Sequence, residues 1–193
     1  IRKLTREAQN LDHLLASLKQ ARREEIGPLA DIVPKQKPAH LGAHHPAGTP
    51  ASSSGQQSFA SQKGTLQLPA SGTITGRFHE ARGDNDRLKG LAIKTVENAV
   101  VSSPFAGKVL FTGPFLDYGN MVILRHSREY HTLVAGLTQI HVTTGQFLLA
   151  GEPIGVMGSA MSSRKLYVEL RRGARAINPE PWFADEEKHY ATR

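Results

Sequence analysis

The chain has 193 residues, 39% hydrophobic and 21% charged, which is room for one domain of about 100–150 residues with its own core plus appendages. It contains no cysteine, which excludes disulfides and thiolate metal sites, and no apolar run approaches the roughly 18 residues of a membrane-spanning helix. The net charge of +7 divides as +4 over residues 1–63 (nine basic, five acidic) and +3 over residues 64–193 (fifteen basic, twelve acidic); with aromatics at 6% and no basic stripe interleaved with them, nucleic acid is not the expected partner, leaving anionic lipid or wall polymer as polyanions.

Ile1, Leu4, Ala8, Leu11, Leu15 and Leu18 step by three and four residues, so residues 1–33 open with an amphipathic helix. Fewer than three heptads are present, and the pattern fits either the end of a longer coiled coil or a helix packed on its own domain. Gly27-Pro28 interrupts it, and Leu29, Ile32 and Val33 form a short apolar edge, which makes residues 26–33 a candidate restraining segment. From Pro34 to Lys63 the composition turns to Pro, Ala, Ser, Gly, Gln and His, which buries too little to fold and predicts a disordered linker over 34–63. His40, His44 and His45 fall in it, without the fixed geometry a metal site needs.

The domain is expected over 64–184. Thr65 to Leu68, Gly72 to Phe78, Leu91 to Val96, Gly107 to Thr112, Met121 to Arg125, Tyr130 to Val134, Ile154 to Met157 and Leu166 to Arg172 read as strands between glycine-rich turns and the polar loop from Glu80 to Arg87. This is the pattern of a mainly β, antiparallel fold, with Trp182 as a core plug and a charged tail over 185–193. In the last strand Leu166, Val168 and Leu170 make one face and Lys165, Tyr167, Glu169 and Arg171 the other.

At that strand, with Leu88-Lys89-Gly90-Leu91-Ala92-Ile93, the chain resembles the LytM/lysostaphin-type zinc endopeptidases of peptidoglycan. In that family the late strand carries His-x-His before an aliphatic-Glu-aliphatic-Arg run, and the earlier one carries His-x-Gly-x-Asp. Aligned on Gly90, the family's first zinc-binding His falls on Leu88 and its Asp on Ala92; the paired histidines fall on Lys165 and Tyr167, and the His of a Tyr-Ala-His-Leu strand falls on Gly136. Leu, Ala and Gly offer no side-chain lone pair, and Lys would bring positive charge to a cation. The resemblance therefore implies a pseudo-enzyme with no catalytic residue, metal or cofactor.

The resemblance narrows to murein hydrolase activators of the EnvC type through Leu-Tyr-x-Glu-x-Arg at Leu166 to Arg171, Lys-Gly-aliphatic-x-Ile at Lys89 to Ile93, and Asn-Pro-x-Pro-Trp at Asn178 to Trp182, over roughly 64–184. It implies a periplasmic protein of cell division that switches on an N-acetylmuramoyl-L-alanine amidase. A long coiled coil upstream takes its signal from the FtsE–FtsX complex. The start at Ile1 is then that of an excised fragment whose export signal lies upstream. A groove stripped of metal would bind the amidase's autoinhibitory helix, with Tyr167 as anchor, Lys165 and Arg171 as charge partners, Lys89 and Tyr118 at the rim, and Met121 and Val134 as apolar walls. Charge reversal at Arg171 is expected to abolish activation and spare the fold.

Two other readings remain open at this stage. The groove would serve equally in a peptidoglycan-binding module, or His79, His126, His131 and His141 would rebuild a zinc site elsewhere. Their spacing gives no two ligands on one strand face with an acidic third, so the endopeptidase is the weaker alternative. No Gly-x-Ser-x-Gly turn supports a serine hydrolase.

Overall fold

A computed structural model describes residues 58–83 and 86–184, together with His13, Leu14, Ala16, Ser17, Leu18 and Gln20, which are helical. The restraining segment expected at 26–33, most of the 34–63 linker and the tail over 185–193 lie outside the described residues. Period-two alternation produces the strands: β1 (Gly72–Gly76), β2 (Ala81–Gly83), β3 (Asp86–Arg87), β4 (Leu91–Thr95), β5 (Val100–Ser102), β6 (Gly107–Pro114) and β7 (Asn120–Arg125). They are followed by β8 (Tyr130–Leu137), β9 (Gln139–Ile140), β10 (Phe147–Leu148), β11 (Pro153–Val156), β12 (Lys165–Arg172) and β13 (Arg175–Ile177). The stretch Thr65 to Leu68 gives only an isolated bridge, Leu66 to Phe183.

The main sheet runs β1-β4-β12-β8-β7-β6-β10, with β13 on the end of β12; a smaller sheet runs β5-β11-β9, and β2 pairs with β3. The pairings within them are antiparallel, so one face of the main sheet is set by alternate residues of every strand. On one side Leu91, Ile93, Val122, Leu124, Val134, Leu166 and Val168 pack with Val101 and Ile154 of the smaller sheet and with Met157 just beyond it. Fully burying each such aliphatic side chain stabilises the fold by about 1.5–3 kcal/mol. On the other side Met121, Ile123, Leu133 and Ala135 are buried under Leu110, Phe111, Phe115, Tyr118 and Tyr167, with Leu14 and Leu18 packed against the same cluster.

The fold begins earlier than the composition change predicts. Phe59 opens a 3-10 turn (Phe59–Gln62) and is 2% exposed, inside the stretch expected to be linker. It stacks on Trp182 at 5.0 Å and on the His126 imidazole at 4.6 Å, nearly parallel. Trp182 is buried beside Leu66 and Leu170, the plug the sequence predicts. His126 hydrogen-bonds through Nδ1 to the Ala106 carbonyl at 2.9 Å and through Nε2 to Thr132 Oγ1 at 2.8 Å. Burial lowers its pKa to about 4, partly opposed by the Ala106 hydrogen bond and reinforced by His131. His126 is thus a neutral, partly buried side chain whose two ring nitrogens are both engaged by the scaffold, which leaves neither free to bind zinc.

Candidate functional site: a groove at the β4–β12 seam

The antiparallel register sets Tyr167 of β12 between Ala92 of β4 and Ala135 of β8. Two small neighbours beside a large one leave a hollow, and a cavity of about 670 Å³ opens there. Leu88, Ala92, Gly136, Lys165 and Tyr167, the five positions that the sequence resemblance aligns with family metal or catalytic residues, all line it, as do Lys89 and Tyr118. Close backbone approach builds the seam. A Cβ at Gly90 would stand 2.2 Å from the Val168 carbonyl oxygen, and one at Gly136 would stand 2.3 Å from that of Lys165.

Gly136 also has φ +92°, a conformation that side-chain-bearing residues rarely adopt. It interrupts the alternation of β8, with a consequence for the expected walls. Counted back from Gly136 by twos, Val134 shares the groove face, yet it is fully buried in the core opposite, and Ala135 lines the cavity instead. Met121 is on the groove side of the sheet but fully buried beneath Tyr118 and Tyr167, so it supports the floor without lining it.

Arg171, expected as a charge partner, is buried. It shares a strand face with Tyr167 but is 3% exposed and donates from Nη1 to Glu169 Oε1 at 2.5 Å and from Nη2 to the Ala174 carbonyl. Glu169 is wholly buried, and its other oxygen accepts a 2.7 Å hydrogen bond from the Tyr167 hydroxyl. Removing the cation would strand a buried carboxylate, so Arg171 is a structural partner of Glu169 and not a charge offered to a ligand. The Tyr167 hydroxyl is likewise turned to Glu169, leaving its ring, tilted against Tyr118 at 5.7 Å, to the cavity. Burial and the Glu169 charge raise the Tyr167 pKa well above the ordinary phenol value, with Tyr118 adding to the rise and Arg82 opposing it.

The donor set does not fit zinc. Leu88, Ala92 and Gly136 have no side-chain lone pair, Lys165 is cationic, and the Tyr167 hydroxyl is engaged and held protonated. Among the described residues no group of three His, Cys, Asp or Glu side chains is placed to hold a metal ion. Sequence reasoning missed Arg82, Arg87 and Lys94, which also line the cavity, together with Asp86, Asp117 and the half-exposed Met161. Lys94 was within reach of it, since it alternates with Ala92 on β4. Arg82 and Arg87 fell in what reads only as a polar loop.

Residues 86–179 match Peptidase family M23. The chain carries a Peptidase M23 domain. The chain is similar to the murein hydrolase activator EnvC of Escherichia coli, 30% identical over 123 residues, which are 63% of this chain and 29% of that protein. It is similar also to the murein hydrolase activator NlpD of Salmonella dublin, 27% identical over 155 residues, which cover 77% of this chain and 40% of that one. The chain thus spans less than half the length of either relative. Among solved structures, a peptidase M23 protein from Pseudomonas aeruginosa superposes with a TM-score of 0.54 at 19% identity, covering 65% of this chain and 57% of that one, which establishes the shared fold.

Proposed function

We propose that the chain is a non-catalytic activator of a peptidoglycan amidase in cell division, whose M23-type groove binds the amidase's autoinhibitory helix. The observation that carries the reading is that Leu88, Ala92, Gly136, Lys165 and Tyr167, which the sequence resemblance aligns with the family's metal or catalytic positions, line one cavity. The similarity to proteins named murein hydrolase activators supports it. Such a protein works in the cell envelope, and a segment N-terminal to the domain would couple it to the FtsE–FtsX complex.

The groove suits an amphipathic helix. Ala92 and the Tyr118–Tyr167 pair offer apolar surface, and Lys89 and Lys165 offer cations. Activation is then a population shift. An amidase whose inhibitory helix covers its own zinc site opens transiently, and the activator holds the released helix. Moving such an equilibrium from 1:99 to 99:1 requires about 10⁴-fold tighter binding to the open state. The test is release of labelled peptidoglycan fragments by the full chain, alone and with an autoinhibited zinc amidase of the same cell. Release only from the mixture supports the activator. Release by the chain alone would refute the pseudo-enzyme, and tight binding to wall material with silence in both would favour a peptidoglycan-binding module.

A further inference from the structure

Lys165 of β12 stands directly opposite Lys94 of β4 in the antiparallel register, two residues along from Tyr167 and Ala92. Directly opposed residues share a sheet face with Cβ atoms about 5 Å apart, and like charges so placed are destabilising. Both lysines are exposed, and both line the cavity. Among the described residues the ion pairs join Arg77 to Glu180, Arg164 to Glu97, Arg171 to Glu169 and Arg172 to Glu129, so neither lysine is neutralised by a described carboxylate. The rest of the lining adds to the repulsion: Arg82, Arg87 and Lys89 join them against only Asp86 and Asp117, five cations to two carboxylates. A juxtaposition that costs stability in the free protein, at the site where partners would bind, is explained if a ligand's negative charge sits between the two ammonium groups.

On the activator reading, which this inference deepens, we infer that Lys94 and Lys165 form a carboxylate clamp that selects an acidic side chain on the docked helix. The neighbouring surface identifies the rest of the ligand. Two residues along the strands the same face becomes Ala92, Tyr167 and Ala135, apolar and aromatic. That displacement is about 6.6 Å, close to the roughly 6 Å axial rise between residues i and i+4 of a helix. A helix lying along the strands therefore places an Asp or Glu between the lysines and an aliphatic side chain four positions away against Tyr167. A phosphate or other simple anion would satisfy the lysines but not the apolar ground beside them.

The experiment titrates the full chain into an autoinhibited zinc amidase of the same cell and follows peptidoglycan release, comparing wild type with Lys94→Gln, Lys165→Gln and the double variant. The double variant is expected to need about 10–100 times more protein for half-maximal activation, as the loss of hydrogen bonds to a charged group implies, with a shallower dependence on salt. Its melting temperature is expected to be unchanged or higher, because the like-charge pair is gone. Lys165→Glu is expected to lose activation and to regain it when the facing acidic residue of the amidase helix is changed to Lys.

A double variant that activates like wild type overturns the clamp and leaves the activator standing. Loss of activation together with a lower melting temperature overturns it too, by making the lysines structural. Lysine-dependent binding of isolated muropeptides without effect on the amidase would overturn the helix as ligand. Failure of the wild-type chain to activate would remove the activator reading, and the clamp with it.

Discussion

The pair Glu169–Arg171 yields the sharpest test of how this groove is held. Glu169 is wholly buried and Arg171 is 3% exposed, so Arg171→Met removes the cation without returning the carboxylate to water. Breaking a buried pair from one side costs about 3–5 kcal/mol, because the remaining charge is left uncompensated. For a domain of this size that corresponds to a fall in melting temperature of roughly 10–20 °C. Arg171→Glu, expected from the sequence to spare the fold, sets a second carboxylate against the first and should cost more. Removing both charges together, as Arg171→Met with Glu169→Leu, is expected to recover most of the loss, since a buried ion pair adds little net stability over an apolar replacement of similar volume. Calorimetry or urea unfolding of the two singles and the double closes the cycle. Single variants within about 0.5 kcal/mol of wild type, or a double variant whose loss is the sum of the singles, would refute the argument that Arg171 is retained for Glu169.

Tyr167→Phe keeps the ring and deletes the 2.7 Å hydrogen bond to Glu169, so a loss of about 1–3 kcal/mol in unfolding free energy is expected; activation should suffer less than in Tyr167→Ala, compared by dose-response against the same amidase. Gly136→Ala meets the Lys165 carbonyl oxygen at 2.3 Å from a backbone at φ +92°, and should lower stability by at least about 2 kcal/mol by thermal denaturation. His126 has its pKa lowered from 6.5 to about 4, so the folded state binds fewer protons than the unfolded one between those values. Stability from this residue is complete above about pH 6.5 and is lost as pH falls towards 4, by about 3 kcal/mol in all; His126→Asn should flatten that part of a stability-against-pH curve, and an unchanged slope would count against the assignment.

The strands were legible because their apolar residues alternate, and the face shared by Lys165, Tyr167, Glu169 and Arg171 follows from that alternation alone. What alternation leaves undetermined is how deeply each point of a face is covered. Arg171 lies on the Tyr167 side of β12, but β13 returns beside it and the Ala174 carbonyl caps its guanidinium, so the same face is open at Lys165 and closed at Arg171. Val134 was misplaced for a different reason: Gly136 at positive φ breaks the period of two inside β8, and a backbone angle is not visible in a residue pattern. Phe59 was hidden by its neighbours, a single aromatic in a Ser, Gly and Gln context whose burial depends on Trp182 more than a hundred residues later.

The two halves of the β12 face respond to different constraints. Glu169 and Arg171 satisfy each other inside the sheet, and that requirement is the same whatever the cavity binds. Lys165 and Tyr167 border the cavity, where the chemistry of the ligand decides what is tolerated. The lysine pair at Lys94 and Lys165 keeps the cavity strongly positive, and among the described residues no group of His, Cys, Asp or Glu side chains is placed there to hold a metal ion, so the field of the cavity attracts carboxylates. Ammonium groups on flexible stems are suited to holding a side-chain carboxylate at the surface of a partner, and they cannot lower the pKa of a water as a coordinated metal does. The ordering of effects follows: changes at Glu169 and Arg171 should first be read in melting temperature, and changes at Lys94 and Lys165 first in the concentration at which the amidase responds.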